Sequence, residues 1–475
     1  MQLNEEQIKQ IAQRVAENLK QTSPASTDIT QPATHEMGIF NTIDEAVNAA
    51  AVAFKKLMQL TLEDRGRIIA SIREEMLLHC ETLSKEAHLE TGLGRIEDKI
   101  TKNKLVTNKT PGIEDIRPTA WSGDNGLTLV EHAPYGVIGA ITPSTNPTST
   151  IICNTIGMVA AGNSVVFNVH PGAKNVSKLN VNLINRAIVK AGGPPNLITC
   201  ITDPTIETAQ ELMRHKGIRL LVVTGGPGVV KEAMNSGKRA ICAGPGNPPV
   251  VIDETADIDK AAKDVVTGAS LDNNIICTDE KEVFIVDSVA DQFLRAIQKH
   301  NAVLLPPGKL KQLEKLIFTE TRGPRKHAVV NKNFIGKNAG VILSEIGVSN
   351  NSPRLVVVEV DQDHPLIWSE QLMPVLPVCR VRNVDEAIDL AIEAEHGYGH
   401  TASMHSKNIE KLSRMAREIN CSIFVKNGPN VAGLGGGGEG YSSFSIASPT
   451  GEGLTRPMSF TRERRCTLVD YFRII

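Results

Sequence analysis

Cys277 lies in Leu271-Asp-Asn-Asn-Ile-Ile-Cys-Thr-Asp-Glu280, just ahead of the strand-like run Val283–Val286, and an acid follows it rather than a second cysteine. That is the setting of a lone reactive thiol, a covalent nucleophile for a carbonyl carbon. About thirty residues upstream, where an enzyme that hydrolyses a thioester wants a carboxylate to activate water, the chain reads Ala243-Gly-Pro-Gly-Asn-Pro-Pro249. No general base is offered there. The chain has eight cysteines with no C-x-x-C pair and no Cys/His pairing at zinc spacing, which argues against a disulfide framework and a structural metal.

Other groups stand at the ends of strand-like runs. Leu220-Leu-Val-Val-Thr-Gly-Gly-Pro-Gly228 reads as strand, glycine turn and helix start, and backbone amides at such a terminus suit a pyrophosphate. It lacks full G-x-G-x-x-G spacing, and such turns are common in any α/β protein. Asn146 follows Gly139-Ala-Ile-Thr-Pro-Ser-Thr, and its side-chain amide is either an oxyanion donor for Cys277 or a plain helix cap before Pro147. Glu370, ahead of Val375, is either a ribose ligand or a solvated surface carboxylate. The Gly433–Gly440 run has no Lys-Ser/Thr of a nucleotide P-loop and reads as a close backbone approach or a flexible loop. His396, His400 and His405 are not at metal-ligand spacing on a helix.

The elements that position these groups alternate. Strands at Val137–Thr142, Val165–Val169, Leu197–Ile201 and Leu220–Val223 interleave with helices at Pro147–Ala161, around Val176–Ile188 and around Ile206–Arg214. The second half repeats the style with helices at Ile258–Ala269, Ala290–Lys299 and from Val384, and strands at Val283–Val286, Leu355–Val358, Val375–Val381 and Ser422–Val425. Helical patterns at Ile43–Leu60 and Arg65–Thr91 precede them. Such alternation predicts two doubly wound α/β domains with a cleft between them. The apolar C-terminal run from Arg465 to Ile475 predicts a strand, with 127–132 as its partner, within the chain or across a subunit boundary. Residues 1–20 predict an amphipathic helix with the stripe Ile8, Ile11, Val15 and Leu19, and 21–36 a polar, proline-punctuated linker. That helix either docks on a partner or folds back on its own domain.

At 475 residues with 51 basic and 53 acidic side chains, the chain is long enough for several domains and nearly neutral, so charge favours neither nucleic acid nor membrane. No signal peptide or spanning segment is legible, and a cytoplasmic location is expected.

Taken together, Thr142–Pro147, Val223–Gly228, Ala243–Pro249, Asp272–Cys277, Glu370–Pro374, His400–His405 and Phe424–Pro429 resemble the CoA-acylating branch of the aldehyde dehydrogenase superfamily. Within it the chain is similar to the acetaldehyde and propionaldehyde dehydrogenases of bacterial microcompartments, from about His35 to Ile475. The resemblance implies an aldehyde dehydrogenase-like fold divided as a NAD-binding domain at 37–250, a catalytic domain at 251–440 and a C-terminal segment at 441–475. A small β oligomerisation element is formed with a hairpin near 119–133. It implies Cys277 as nucleophile, Asn146 as oxyanion amide, and Thr224, Gly225, Gly226 and Gly228 as the pyrophosphate turn. Glu370 would hold the nicotinamide ribose, and Thr142, Pro143, His170 and Pro171 further contacts to NAD.

His170 and Pro171 stand where the wider superfamily often keeps a lysine for the adenosine ribose. The implied reaction turns a short-chain aldehyde, coenzyme A and NAD into acyl-CoA and NADH, acetaldehyde being favoured over propionaldehyde. It also implies a homo-oligomer, a dimer or tetramer, and residues 1–20 as an encapsulation peptide for microcompartment shell or core proteins. Two rivals are a CoA-independent hydrolytic enzyme using a base such as Glu280, and a catalytically silent microcompartment scaffold.

Overall fold

The computed structural model describes residues 37–349 and 351–475; the helix expected at 1–20 and the linker at 21–36 lie outside the described residues. The first alternating stretch forms a six-stranded parallel sheet. Its spatial order is Ile39–Phe40, Ile198–Ile201, Ser164–Asn168, Val137–Ile141, Ile218–Thr224 and Ala240–Ala243. Every residue of Val137–Ile141 and Ser164–Asn168 is buried, as expected of parallel strands covered on both faces. Alternate side chains divide between two cores. Ile138, Val165, Phe167 and Leu220 pack under helices Leu62–Leu78, Pro147–Ala160 and Lys174–Lys190. Val137, Val166, Leu221 and Val223 pack under Ile43–Leu57, Ile206–Arg214 and Pro227–Met234.

The second half forms a seven-stranded parallel sheet, in the order Ala302–Leu304, Leu355–Glu359, Val375–Val381, Glu282–Val286, Pro249–Ile252, Thr401–His405 and Ile423–Lys426. Val250, Ile252, Val283 and Ile285 face helices Ile258–Ala269 and Asp287–Ile297. Val251, Phe284, Val356 and Val358 face the other side, under Leu310–Ile317, Ala339–Glu345 and Val384–Ala394. One crossing matters for the site. The chain leaves the edge strand Ala240–Ala243 of the first sheet and enters the second at Pro249–Ile252, so 244–248 is the strap between them.

Two expectations change. The helical pattern of Arg65–Thr91 breaks at His79 (φ −100°, ψ 8°) into Leu62–Leu78 and Cys80–Thr91. The C-terminal strand is Thr461–Val469 and pairs antiparallel with Gly126–Pro134 of the same chain, Leu468 opposite Leu127 and Glu463 opposite His132. One edge of that strand is therefore paired within the chain. With Thr119–Gly123 it makes a three-stranded sheet, beyond which Tyr471, Phe472, Ile474 and Ile475 are exposed. Before that arm, Leu434, Phe444, Ile446 and Phe460 return to the core of the first sheet. Among the described residues no helix is long and apolar enough to cross a membrane.

Candidate active site

A cavity of about 960 Å³ opens at the carboxyl ends of the first sheet, where open parallel sheets bind their ligands. Thr142, Pro143 and Asn146 reach it beyond Val137–Ile141, and His170 and Pro171 beyond Ser164–Asn168. Thr224, Gly225, Gly226 and Gly228 reach it at the end of Ile218–Thr224. Cys277 and Glu370 enter from loops of the second sheet. All the residues singled out from sequence for the reaction and for NAD thus line one cavity.

Cys277 is half-buried and follows a backbone turn that few side chains tolerate. Asp272, Asn273 and Asn274 are consecutive left-handed residues, with φ of 47°, 58° and 64°. Asp and Asn bear that conformation best among residues with a Cβ. Each side chain here also ties the turn to a different neighbour. Asp272 accepts from the Arg95 N–H at 2.6 Å, and the Asn273 amide donates to the Gly336 carbonyl at 2.8 Å. Asn274 donates to the carbonyls of Ala269 and Glu280, both at 2.9 Å. The buried ammonium of Lys281 then closes the loop, donating to the carbonyls of Asn274 (2.8 Å) and Ile276 (3.1 Å). Burial pushes the Cys277 thiol up to about 12, with the Glu370 charge acting in the same direction and Lys281 against it. The sulfur therefore rests as a thiol.

Asn146 occupies the N-cap position of Pro147–Ala160 but makes no side-chain cap hydrogen bond. Its Oδ1 instead accepts from the Lys102 ammonium. The glycine turn has an open face: a Cβ at Gly226 or Gly228 would meet nothing within 4 Å. Gly226, the N-cap of Pro227–Met234, makes no side-chain cap hydrogen bond, so the first turn of that helix keeps amides available for an anion. Ile206, Ala209, Met213 and Val229 line an apolar part of the same cavity.

The strap at 244–248 passes close against Cys277. A Cβ on Gly246 would lie 2.6 Å from the Cys277 carbonyl oxygen and 3.0 Å from His400 Cγ, so packing excludes any side chain there. Asn247 anchors the strap, donating to the carbonyls of Ile367 and Ala394, both at 2.9 Å. Glu280, the base considered for a hydrolytic enzyme, is turned away from the cavity. It is 1 % exposed, accepts from the Asn430 N–H at 2.8 Å and lies against Gly268.

The model of the aldehyde dehydrogenase family matches residues 12–458. The chain is 48% identical to the acetaldehyde dehydrogenase (acetylating) EutE of Salmonella typhimurium, over 100% of both chains. The chain belongs to the aldehyde dehydrogenase family, in its CoA-acylating branch. Among solved structures it is similar to the propionaldehyde dehydrogenase of Rhodopseudomonas palustris with bound CoA and an acylated cysteine. The TM-score is 0.88 at 50% identity, covering 91% of this chain and 98% of that one. It is also similar to a propionaldehyde dehydrogenase from the fucose utilisation microcompartment of Clostridium phytofermentans, with a TM-score of 0.90 at 45% identity, covering 93% and 100%.

Sequence reasoning missed part of this aldehyde dehydrogenase's site. Helix Ile96–Lys109 carries Lys99 and Lys102, and its buried face is mostly polar: Asp98, Lys99, Lys102, Asn103, Val106 and Thr107. No apolar stripe announces it, and the usable signal was a helical spacing of polar residues. The Gly433–Gly440 run is a close approach, since a Cβ at Gly433 would stand 2.3 Å from Ile423 Cγ2 and one at Gly438 2.4 Å from the Ala432 carbonyl. Of the three histidines, His396 packs on His327 with ring centroids 4.2 Å apart, while His400 and His405 are buried and pushed down to about 4 by that burial.

Two outcomes follow for the charges around the loop. Burial pushes the Glu280 carboxyl up to about 8 from 4.5. A carboxyl raised by folding contributes stability below its unfolded value that is lost as pH rises through the folded one. Glu280→Gln keeps the acceptor for Asn430 and removes the ionisation. Its denaturant midpoint should fall less steeply than that of the wild type between about pH 5 and about pH 9; parallel curves would show that Glu280 is not what titrates. Glu370→Gln removes a charge that raises the thiol, so Cys277 should react faster with iodoacetamide at pH 8 to 9, by roughly two- to tenfold. An unchanged rate would mean that the Glu370 charge does not reach the sulfur.

Proposed function

We propose that this CoA-acylating aldehyde dehydrogenase carries its acyl group on Cys277, with Asn146 as the oxyanion amide. NAD is held at the turn of Thr224, Gly225, Gly226 and Gly228, with Glu370 at the nicotinamide ribose. The observation that carries the reading is the one cavity lined by all of these groups, with the strap at 244–248, which bears no carboxylate of its own, packed against Cys277. Thr142, Pro143, His170 and Pro171 complete the nucleotide contacts. His170 Nδ1 accepts from the Gly172 N–H at 3.0 Å and burial holds its pKa down, so the ring is neutral. The nearby Lys174 is paired with Asp203 at 2.7 Å. Neither offers an unpaired cation to a 2′-phosphate, which supports NAD over NADP.

The Cys277 thiol releases its proton to solvent as sulfur adds to the carbonyl carbon of a short-chain aldehyde, and the thiol of coenzyme A restores it when the thioester is displaced. The oxyanion formed is held by the Asn146 amide and the Cys277 backbone N–H, donors fixed before the reaction and worth most in a dry site. NAD, when bound, supplies the hydride acceptor. Cys277 then holds an acyl thioester, and the thiol of coenzyme A displaces it as acyl-CoA. Acetaldehyde is the favoured substrate and propionaldehyde overlaps, because one methylene is worth only ~1–3 kcal/mol of discrimination.

With acetaldehyde and NAD but no CoA, the enzyme should release a burst of about one NADH per Cys277 and stop until CoA is added. Steady turnover without CoA would return the reading to a hydrolytic enzyme. Cys277→Ala should abolish both aldehyde oxidation and acyl-CoA reduction.

The exposed Trp121, Leu468 and Val469 on the three-stranded sheet, with the apolar tail beyond, support burial of that arm in a dimer or tetramer. The amphipathic stripe of residues 1–20 and the microcompartment origin of a similar structure support encapsulation through that segment. Deleting residues 1–20 should leave kcat within about twofold while ending co-sedimentation with purified shells. Unchanged co-sedimentation would remove the segment's role.

A further inference from the structure

We propose that Lys102 is a positioning residue of the active site: its buried ammonium holds Asn146 Oδ1 and thereby turns the Asn146 NH2 toward the substrate's developing oxyanion. The inference rests on the reading of Asn146 as oxyanion donor and explains how that amide acquires its sense. An amide side chain fits its density of neighbours almost equally well either way round, so something must decide which end faces the cavity. An ammonium has donors and no acceptor, so the atom against Lys102 must be oxygen. The nitrogen is then at the other end, where its contact with Thr145 Oγ1 is a long 3.3 Å. Asn146 does not use its side chain as a helix cap and lines the cavity beside Cys277. A cation behind the carbonyl end also polarises the amide and strengthens its N–H donors.

The charges around Lys102 tie Asn146 to the loop that carries Cys277. Lys102, Lys99 and Asp272 are 2 %, 3 % and 0 % exposed, and both ammoniums bind the one Asp272 carboxylate, Lys99 at 3.0 Å. The neighbouring carboxylate, Asp98, is already engaged by Arg354 and by the Asp272 N–H at 2.9 Å. Both ammoniums hold the Asp272 carboxyl down against its burial, Lys102 more than Lys99, and their mutual repulsion adds to burial in leaving Lys99 at about 8. Lys102's other hydrogen-bond partner is Asn146.

A double-mutant cycle in the full-length enzyme tests this, with Asn146→Ala, Lys102→Met and the double variant assayed for NADH formation from acetaldehyde, NAD and CoA. Asn146→Ala should lower kcat by ~10²–10³-fold. Lys102→Met should lower it by roughly ten- to a hundredfold, with KM for NAD and CoA within about twofold, yet cost less than about twofold more in the Asn146→Ala background. The rate of Cys277 alkylation by iodoacetamide should stay near wild type, which displacement of the nucleophile loop through Asp272 would change. Lys102→Gln, a neutral donor, should retain more kcat than Lys102→Met, and it takes the place of that variant in the cycle if Lys102→Met does not fold. Equal losses from the Lys102 change in both backgrounds, or no loss while Asn146→Ala is impaired, would overturn the role of Lys102. Full activity of Asn146→Ala would overturn the assignment of Asn146 itself, and this inference with it.

Discussion

The site depends on a turn of three successive left-handed residues, Asp272, Asn273 and Asn274, which aims Cys277 into the cavity. Such backbone costs about 1–3 kcal/mol per residue and persists only where the surroundings over-determine it. Here the surroundings are three separate bodies. Asp272 is held by helix Ile96–Lys109 and the residue preceding it, Asn273 by the Gly336–Asn338 segment, and Asn274 by the end of helix Ile258–Ala269 together with Lys281. The position of the sulfur is therefore a property of how the two sheets and their helices dock. That ties catalysis to the core.

Burial around the loop has a second effect. Lys281 sits among Asp279, Glu280 and Glu282, and burial raises all three carboxyls, Glu280 to about 8. The strap packs close to the loop at Gly246, where a Cβ would stand 2.6 Å from the Cys277 carbonyl oxygen.

Much of the fold was legible because both sheets are buried on both faces. Strands such as Val137–Ile141 and Val375–Val381 are apolar runs, and helices such as Ile206–Arg214 and Ile258–Ala269 carry apolar stripes at helical spacing. Where the buried face is polar, the signal vanishes. Helix Ile96–Lys109 buries two lysines and an aspartate, and the strand Thr401–His405 is wholly buried despite Thr401, Ser403 and His405. Hydrophobic periodicity reports apolar burial and is blind to polar groups that are buried because they bond one another. The helix that supports the nucleophile turn was hidden for that reason.

The sequence by itself singled out the candidate groups and the order of the elements that bear them. Cys277, Asn146, the glycine turn and Glu370 each sit beside a strand end or helix start whose local pattern is self-contained. Only the tertiary structure decided which way Asn146 faces, why no side chain can stand at Gly246, and that Glu280 is turned from the cavity. Those three facts are contacts between segments far apart in the chain, such as Lys102 with Asp272 and Gly246 with Cys277. A short-range pattern carries no information about them, because they exist only once the two sheets have closed on each other.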